Sequence, residues 1–292
     1  MNIKALTLAA SRHAWLLLLA LLLCLPAGQG AAQAPAKEGA RRGAIPDDLL
    51  GDEHVREEFG VNPITTPSIE AIFQLLDTLG TLSYDRLSRP IPDKTPSDRV
   101  AVSLSMGELI ADGFLVVQCE KVEQMDNIGR ALLKHAKVLG AGSRMNRHSQ
   151  SLLEHSIKGD WKKLRAELTK AQFDVEAEMV QLRDVDIAHL VSLGGWLRAF
   201  QIATQAADEN YAPDKTRNLA RHDIVEYFLD SLSNLQPSVQ GLGVVKQITK
   251  ELKELMPLID GPEGKVLSPA EVKVLRAKAN EMIKTVADAC AG

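Results

Sequence analysis

The chain contains few aromatic residues and few cysteines, and both shortages restrict the classes of protein to which it can belong. Phe, Trp and Tyr together make up 4% of its 292 residues, which argues against a β-propeller and against an aromatic-rich carbohydrate cleft. Three cysteines are too few for a disulfide scaffold. The rest of the composition, with 45% hydrophobic and 25% charged residues, is typical of a globular protein with a packed core.

Several catalytic motifs are also missing. The sequence has no Gly-x-Ser-x-Gly nucleophile elbow, no phosphate-binding loop, no His-Glu-x-x-His helix and no Cys-x-x-Cys-His haem attachment motif. These absences exclude enzymes that carry such motifs, but they leave open a site assembled from residues far apart in the chain. We therefore expect no cofactor.

The first 30 residues have the layout of a secretory signal peptide. Lys4 and Arg12 precede the apolar run 14–25, which is followed by Pro26 and a stretch of small residues. An apolar run of about twelve residues is shorter than the roughly 20 that a membrane-spanning helix needs. We expect cleavage after about residue 30, a secreted or periplasmic protein, and no transmembrane segment after cleavage.

The mature chain is acidic overall. Removing residues 1–30 takes away Lys4 and Arg12 and no acidic residue, so 32 basic residues remain against 38 acidic ones, a net charge of −6. This balance argues against a nucleic-acid partner, which would favour a basic surface.

The apolar spacing predicts an all-α domain. Residues 31–65 are rich in Ala, Gly, Pro and charge without sustained periodicity, which indicates a flexible tether. Residues 66–292 contain helical patterns, the clearest of which follows the cap Asp160 from Trp161 to Leu182 at spacings of three and four. We predict an array or bundle of eight or nine antiparallel helices joined by mostly short connections.

Positive charge is concentrated in residues 130–165, where nine basic residues accompany two acidic ones. This basic segment is a candidate docking surface for an anionic envelope component, such as lipid headgroups, acidic polysaccharide or an acidic protein. The alternative is a solvated surface that pairs with the acidic residues of 167–186. The candidate ligand-binding residues in the segment are Arg144, Arg147, His148 and His155.

Gly194-Gly195-Trp196 lies inside a predicted helix with a broad apolar arc. Two glycines inside a helix usually allow a close helix crossing or a kink. A groove beside this crossing is a second candidate binding site, with Trp196 as its aromatic contact.

Two sets of residues suggest metal binding as an alternative. Asp186 and His189 are separated by three positions, and His222, Glu226 and Asp230 follow one another at intervals of four, which places each set on one helix face. Both sets also fit simpler roles, as a helix cap and as a solvent-facing stripe. Glu108 and Asp112, four residues apart near small residues, are either half of a buried acidic site or a polar edge.

Cys119 and Cys290 are the cysteines of the mature chain. An oxidising compartment permits a disulfide between them, and the alternative is two separate thiols. Taken together, these features predict an exported, non-enzymatic helical protein that binds an anionic envelope component or an envelope protein. The alternative is a metal-dependent helical enzyme or oxidoreductase with a carboxylate and histidine site.

Overall fold

The computed structural model describes residues 45–46, 48–92, 94–140, 146–262 and 264–291, without the side chains of residues 146, 147 and 149. Every regular element in this part of the chain is a helix, which confirms the predicted all-α class. The expected signal peptide, residues 1–30, and the first part of the expected tether, residues 31–44, lie outside the described residues.

The described part of the chain contains nine helices of ten or more residues and four shorter ones. In chain order they are α1 (Glu53–Glu58), α2 (Ile69–Thr78), α3 (Tyr84–Leu87), α4 (Arg99–Gln118), α5 (Val122–Leu139), α6 (Asn146–Ile157), α7 (Trp161–Leu182), α8 (Val185–Glu209), α9 (Pro213–Thr216), α10 (His222–Asn234), α11 (Pro237–Gln240), α12 (Gly243–Ile259) and α13 (Pro269–Ala291).

Side-chain caps set the start of several helices. Asp98, Asp160 and Asp184 accept hydrogen bonds from the first-turn amides of α4, α7 and α8. At the start of α13, Ser268 and Glu271 form the reciprocal bonds of a capping box. The sequence therefore marks these helix boundaries locally, before any tertiary contact is made.

The centre of the protein is the crossing of α4 and α8. A Cβ atom on Gly107 would overlap the carbonyl oxygen of Val191, and one on Gly194 would overlap that of Leu104. The two helix backbones are thus in direct contact, as the glycines predict. Most side chains of α4 are buried on all sides because α5, α8 and α13 pack around it.

In the described part of the chain, α4 is also the one helix long and apolar enough to cross a membrane. Its apolar window is 83% buried inside the protein. A membrane-spanning helix and the central helix of a packed core share this length and apolar composition. The central position of α4 therefore accounts for its hydropathy.

Residues 45–65 differ from the expected tether. Ile45, Leu50 and Val61 are buried in one apolar cluster with Ala177 and Val180 of α7. The backbone of residue 45 also exchanges two hydrogen bonds with the side chain of Gln181. These apolar residues are separated by charged ones at irregular intervals, so the sequence pattern does not show that they pack.

Candidate functional site

An open groove of about 580 Å³ lies between α10 and α12. The two helices run past each other with α11 at the turn, and their packed faces do not close the space above them. The residues lining the groove are Leu229, Leu232, Ser233, Gln240, Val245, Lys246, Thr249, Lys250, Lys253 and Glu254.

The amphipathic pattern of α12 positions the groove's cations. Val245, Ile248 and Leu252 point into the core and are buried. Lys246 and Lys253 are seven residues apart, with Lys250 between them, so all three lysines lie along one exposed face of the helix. The sequence shows this stripe, but only the packing of α10 beside α12 makes it the wall of a groove.

The groove carries unneutralised positive charge. Lys250 lies 3.9 Å from Glu254, whose other oxygen pairs with Lys278 of α13 at 2.8 Å. Neither Lys246 nor Lys253 forms an ion pair with any residue that the structure describes. At the Lys246 end, the first turn of α12 has no side-chain cap, so its amides add to the positive potential.

The floor of the groove is apolar. Leu232 and Val245 are buried beneath it, and Leu229 is half-buried at its edge. The methylene stems of the lysines extend this apolar surface while their ammonium groups remain in water. Ser233 and Thr249 supply hydroxyl groups, but no histidine or cysteine lies in the lining to activate them. The arrangement suits binding of a molecule that is both apolar and anionic.

Three of the seven basic side chains of the segment that the structure describes form local ion pairs. Arg130 pairs with Asp126, Lys158 with Glu154, and Lys163 with Asp160. Arg165 donates to Gln118 and lies 4.0 Å from the ring centroid of Phe73. These partners lie outside the acidic stretch 167–186, with which the solvated-surface alternative expected the segment to pair.

The four candidate ligand-binding residues of the segment do not form one described cluster. Arg144 and the side chain of Arg147 lie outside the described residues. His148 lies between two carboxylates of α7, with Nδ1 2.8 Å from Glu167 and Nε2 3.2 Å from Asp174. His155 is half-buried two turns further along α6.

Trp196, the aromatic contact expected for a groove beside the glycine crossing, is partly buried. Its ring stacks on Phe200 at 5.1 Å between centroids and packs against Phe228 at 5.6 Å. The α4 and α8 backbones touch at the neighbouring glycines.

The residues of the two proposed metal sets have the following neighbours. Asp186 accepts a hydrogen bond from the amide of Gln236, and His189 faces the hydroxyl of Tyr227 at 3.5 Å. Burial lowers the pKa of His189, which favours its neutral form.

On α10, His222 is 4.0 Å from Glu226, while the carboxylate of Asp230 accepts from Asn234. No group of three or more His, Cys, Asp or Glu side chains in the described residues is arranged to hold a metal ion.

Of the two alternatives for Cys119 and Cys290, this fold has the separate thiols. Both thiols are free. The Sγ atom of Cys290 lies 3.7 Å from the carbonyl oxygen of Ala101, near the start of α4, whereas Cys119 caps the other end of the helix. The 18 residues between Ala101 and Cys119 correspond to about 27 Å of helix. A disulfide requires Cα atoms roughly 4–7 Å apart, so an intrachain bridge is excluded.

Glu108 and Asp112 are buried and not a polar edge. They meet Arg89 and Arg198, which the sequence analysis does not single out. A lone arginine among the apolar positions of α8 is the signal that could have identified Arg198. The burial of Arg89, which lies in a proline-rich connection, has no such signal.

The lysine-lined groove is therefore the site that the described geometry favours for ligand binding. Comparisons of the chain with protein-family models, with curated proteins and with solved structures each found no match.

Proposed function

We propose that this is an exported, non-catalytic protein that binds an anionic amphiphile of the cell envelope in the groove between α10 and α12. The observation that carries the proposal is the combination of an apolar floor with Lys246 and Lys253, which have no ion-pair partner among the described residues. The proposal retains an anionic envelope component as the ligand and moves its site from the basic segment to the groove.

The shape of the groove favours a single acyl chain with an anionic head. From Lys246 to Glu254 the groove follows α12 for eight residues, or about 12 Å. Each methylene group removed from water contributes about 0.8 kcal/mol. An exposed ion pair contributes about 0.2–1 kcal/mol. The acyl chain therefore supplies most of the affinity, and the lysines select the sign of the head group.

The charge distribution orients the ligand. Glu254, the acidic residue of the lining, lies at the Lys253 end and offsets the charge of Lys250 there, whereas the Lys246 end has the uncapped start of α12 and no acidic lining residue. The anionic head then lies near Lys246, and the acyl chain extends over Leu232 and Leu229.

The test is isothermal titration calorimetry of the purified protein with monomeric dodecanoate. We expect saturable binding that weakens with salt. The variant Lys246→Glu plus Lys253→Glu should bind about tenfold more weakly, or about 1.4 kcal/mol, and dodecanol should bind more weakly than dodecanoate. The matched control, Lys273→Glu plus Lys284→Glu on the exposed face of α13, has the same change in net charge and should bind like the wild type.

A second comparison separates the groove from the basic segment. The variant Arg144→Ala plus Arg147→Ala should leave dodecanoate binding unchanged. A loss of binding in this variant, with none in the groove variant, would return the site to the basic segment. Equal binding by all the variants would contradict both locations.

A further inference from the structure

Four charged side chains meet in the interior where the connection between α3 and α4 crosses α4 and α8. Arg89 of the connection bonds Glu108 at 2.6 Å and Asp112 at 2.9 Å. Arg198 of α8 bonds the other oxygen of Asp112 at 2.7 Å, and its guanidinium also donates to the carbonyl of Leu87. Exposures of 2% for Arg198, 3% for Glu108 and 7% for Asp112 show that water is excluded from the centre of this cluster.

The two carboxylates differ in how many of their oxygens accept hydrogen bonds. Both oxygens of Asp112 accept hydrogen bonds from arginines, whereas Glu108 uses only Oε2. Its Oε1 atom is buried and has no hydrogen-bond partner among the described residues, and the same holds for Nη2 of Arg89. A buried carboxylate with one unsatisfied oxygen is costly, and taking up a proton relieves that cost.

The groups that face Glu108 come from every side of the cluster. They are Arg89 from the connection, Asp112 from α4 itself, Arg198 from α8 and the Cys290 thiol from α13. Among the described residues of α5, no titratable side chain acts on Glu108, and the buried His135 bonds Ser105, one turn earlier in α4. The two arginines favour the ionised form of Glu108, and Asp112 opposes it.

Burial outweighs the two arginines. Desolvation raises the pKa of Glu108 to about 7, despite the contact with Arg89. The side chain therefore changes its ionisation near neutral pH, and with it the number of anions that hold Arg89 in place.

We propose that Glu108 is a buried proton-binding site whose ionisation fastens the connection between α3 and α4 to the core through Arg89. When Glu108 is ionised, Arg89 is held by two carboxylates. When Glu108 is protonated, Arg89 keeps only Asp112, which it shares with Arg198. Arg89 and Ile91 of the connection border a gap of only about 10 Å³ against Asp112 and Ile128.

Local and global stability respond to pH with opposite signs in this arrangement. Local opening separates Arg89 from Glu108 and makes protonation easier, so opening is favoured at low pH. Global unfolding returns the raised pKa of Glu108 to its ordinary value, so the contribution of Glu108 to stability is present below pH 4.5 and is lost as pH rises through about 7. A pH effect on the connection can thus be distinguished from a general loosening of the fold.

The first experiment is carbon-13 NMR titration of the glutamate side-chain carboxyl groups in the whole protein. We expect one midpoint near 7, assigned to Glu108 by its loss in Glu108→Gln. In Arg89→Met the midpoint should rise further, since the nearest opposite charge is gone. If Glu108 titrates in the ordinary range of exposed glutamates, the proposal is wrong.

The second experiment is hydrogen exchange of the amides of residues 86–88, which donate to the carbonyls of Ser83 and Tyr84, expressed as protection factors so that the intrinsic pH dependence is removed. Protection should increase severalfold from pH 6 to pH 8 in the wild type and stay constant in Glu108→Gln. Glu251→Gln is the matched control, because Glu251 of α12 is also buried with one unpartnered oxygen but lies outside the cluster. A wild-type response that persists in Glu108→Gln would assign the effect to another group.

Discussion

At the scale of single residues, glycines set the distance between the two central helices. Gly107 and Gly194 lie where the backbones of α4 and α8 touch, and even a methyl group there would overlap a carbonyl oxygen. The neighbouring Gly129 of α5, in contrast, has no atom within 4 Å of the position that a Cβ would occupy. A substitution of glycine by alanine should therefore affect stability in opposite directions at these positions.

We predict that Gly107→Ala lowers the free energy of unfolding by about 3 kcal/mol, the upper part of the range for overpacking a core. Gly129→Ala should raise it by up to about 1 kcal/mol, because alanine is the better helix former. Urea denaturation followed by circular dichroism measures both. Equal stability of the two variants would show that the helices can separate without cost.

The buried His135 gives a pH dependence of the opposite sign to that of Glu108. Its Nε2 atom lies 3.0 Å from the hydroxyl of Ser105 and its Nδ1 atom 2.8 Å from the carbonyl of Ala131. Desolvation lowers its pKa below the ordinary value of 6.5. The stability that the neutral ring contributes is therefore present above pH 6.5 and is lost as pH falls through the lower pKa of the folded state.

We expect His135→Gln to weaken this loss of stability on acidification. The change in the free energy of unfolding from pH 7.5 to pH 5.5 should be less negative in the variant than in the wild type, and Glu108 contributes a change of the opposite sign to both proteins. Some slope will remain, since His189 is also buried with a lowered pKa. Parallel curves for variant and wild type would show that His135 does not contribute.

At the scale of elements, the length of α4 determines whether the two cysteines can form a disulfide. Its 20 residues keep Cys119 at one end apart from Cys290, which packs beside the other end. Burial raises the pKa of both thiols, to about 11 for Cys290. Both groups are thus kept apart and mostly protonated at neutral pH.

We predict that Cys119 and Cys290 are both free thiols in the folded protein. Its denatured mass should lack the deficit of about 2 Da that one disulfide would cause, and denaturation should allow both cysteines to react with a maleimide. In the native state Cys290 should react slowly, because the thiolate is the reactive form. An intrachain bridge in protein isolated without reductant would contradict the placement of α13 beside the start of α4.

At the scale of the whole molecule, α8 connects the apolar clusters. Its first turns contribute Ile187 and Val191 to the cluster with α5, its middle contributes Leu197 to the large cluster with α10, α12 and α13, and its end contributes Ile202 to the cluster with α2 and α7. Loss of α8 would remove a side from all three clusters.

We therefore expect residues 66–291 to unfold as one cooperative unit. Trp161 lies against the cluster formed with α2 and α7, and Trp196 lies against the cluster formed with α10. The variants Trp161→Phe and Trp196→Phe each leave one of these two reporters in the mature chain. Fluorescence of the two variants should give coincident urea transitions after correction for their stability by circular dichroism. Separate fluorescence transitions would show that the clusters unfold independently.

The positions of the main helices can be predicted from the sequence, because the apolar spacing and the capping residues that define a helix lie within a few positions of one another. The spacing from Trp161 to Leu182 and the cap at Asp160 predict α7 with its observed ends, and the capping box at Ser268 predicts the start of α13. The glycines of α8 indicated either a close helix crossing or a kink, and the structure shows the crossing at Gly194.

Tertiary structure decided which faces meet, because neither burial nor adjacency is encoded by spacing within one helix. The spacing of the lysines in α12 shows that they share one helix face, but the groove exists only because α10 packs beside that face. Glu108 becomes a buried proton site because other elements pack over α4 and desolvate it, although Arg89, which the connection brings against it, opposes the shift. Residues 45–65 lack periodicity, so only the structure shows that Leu50 and Val61 pack against an apolar edge of α7.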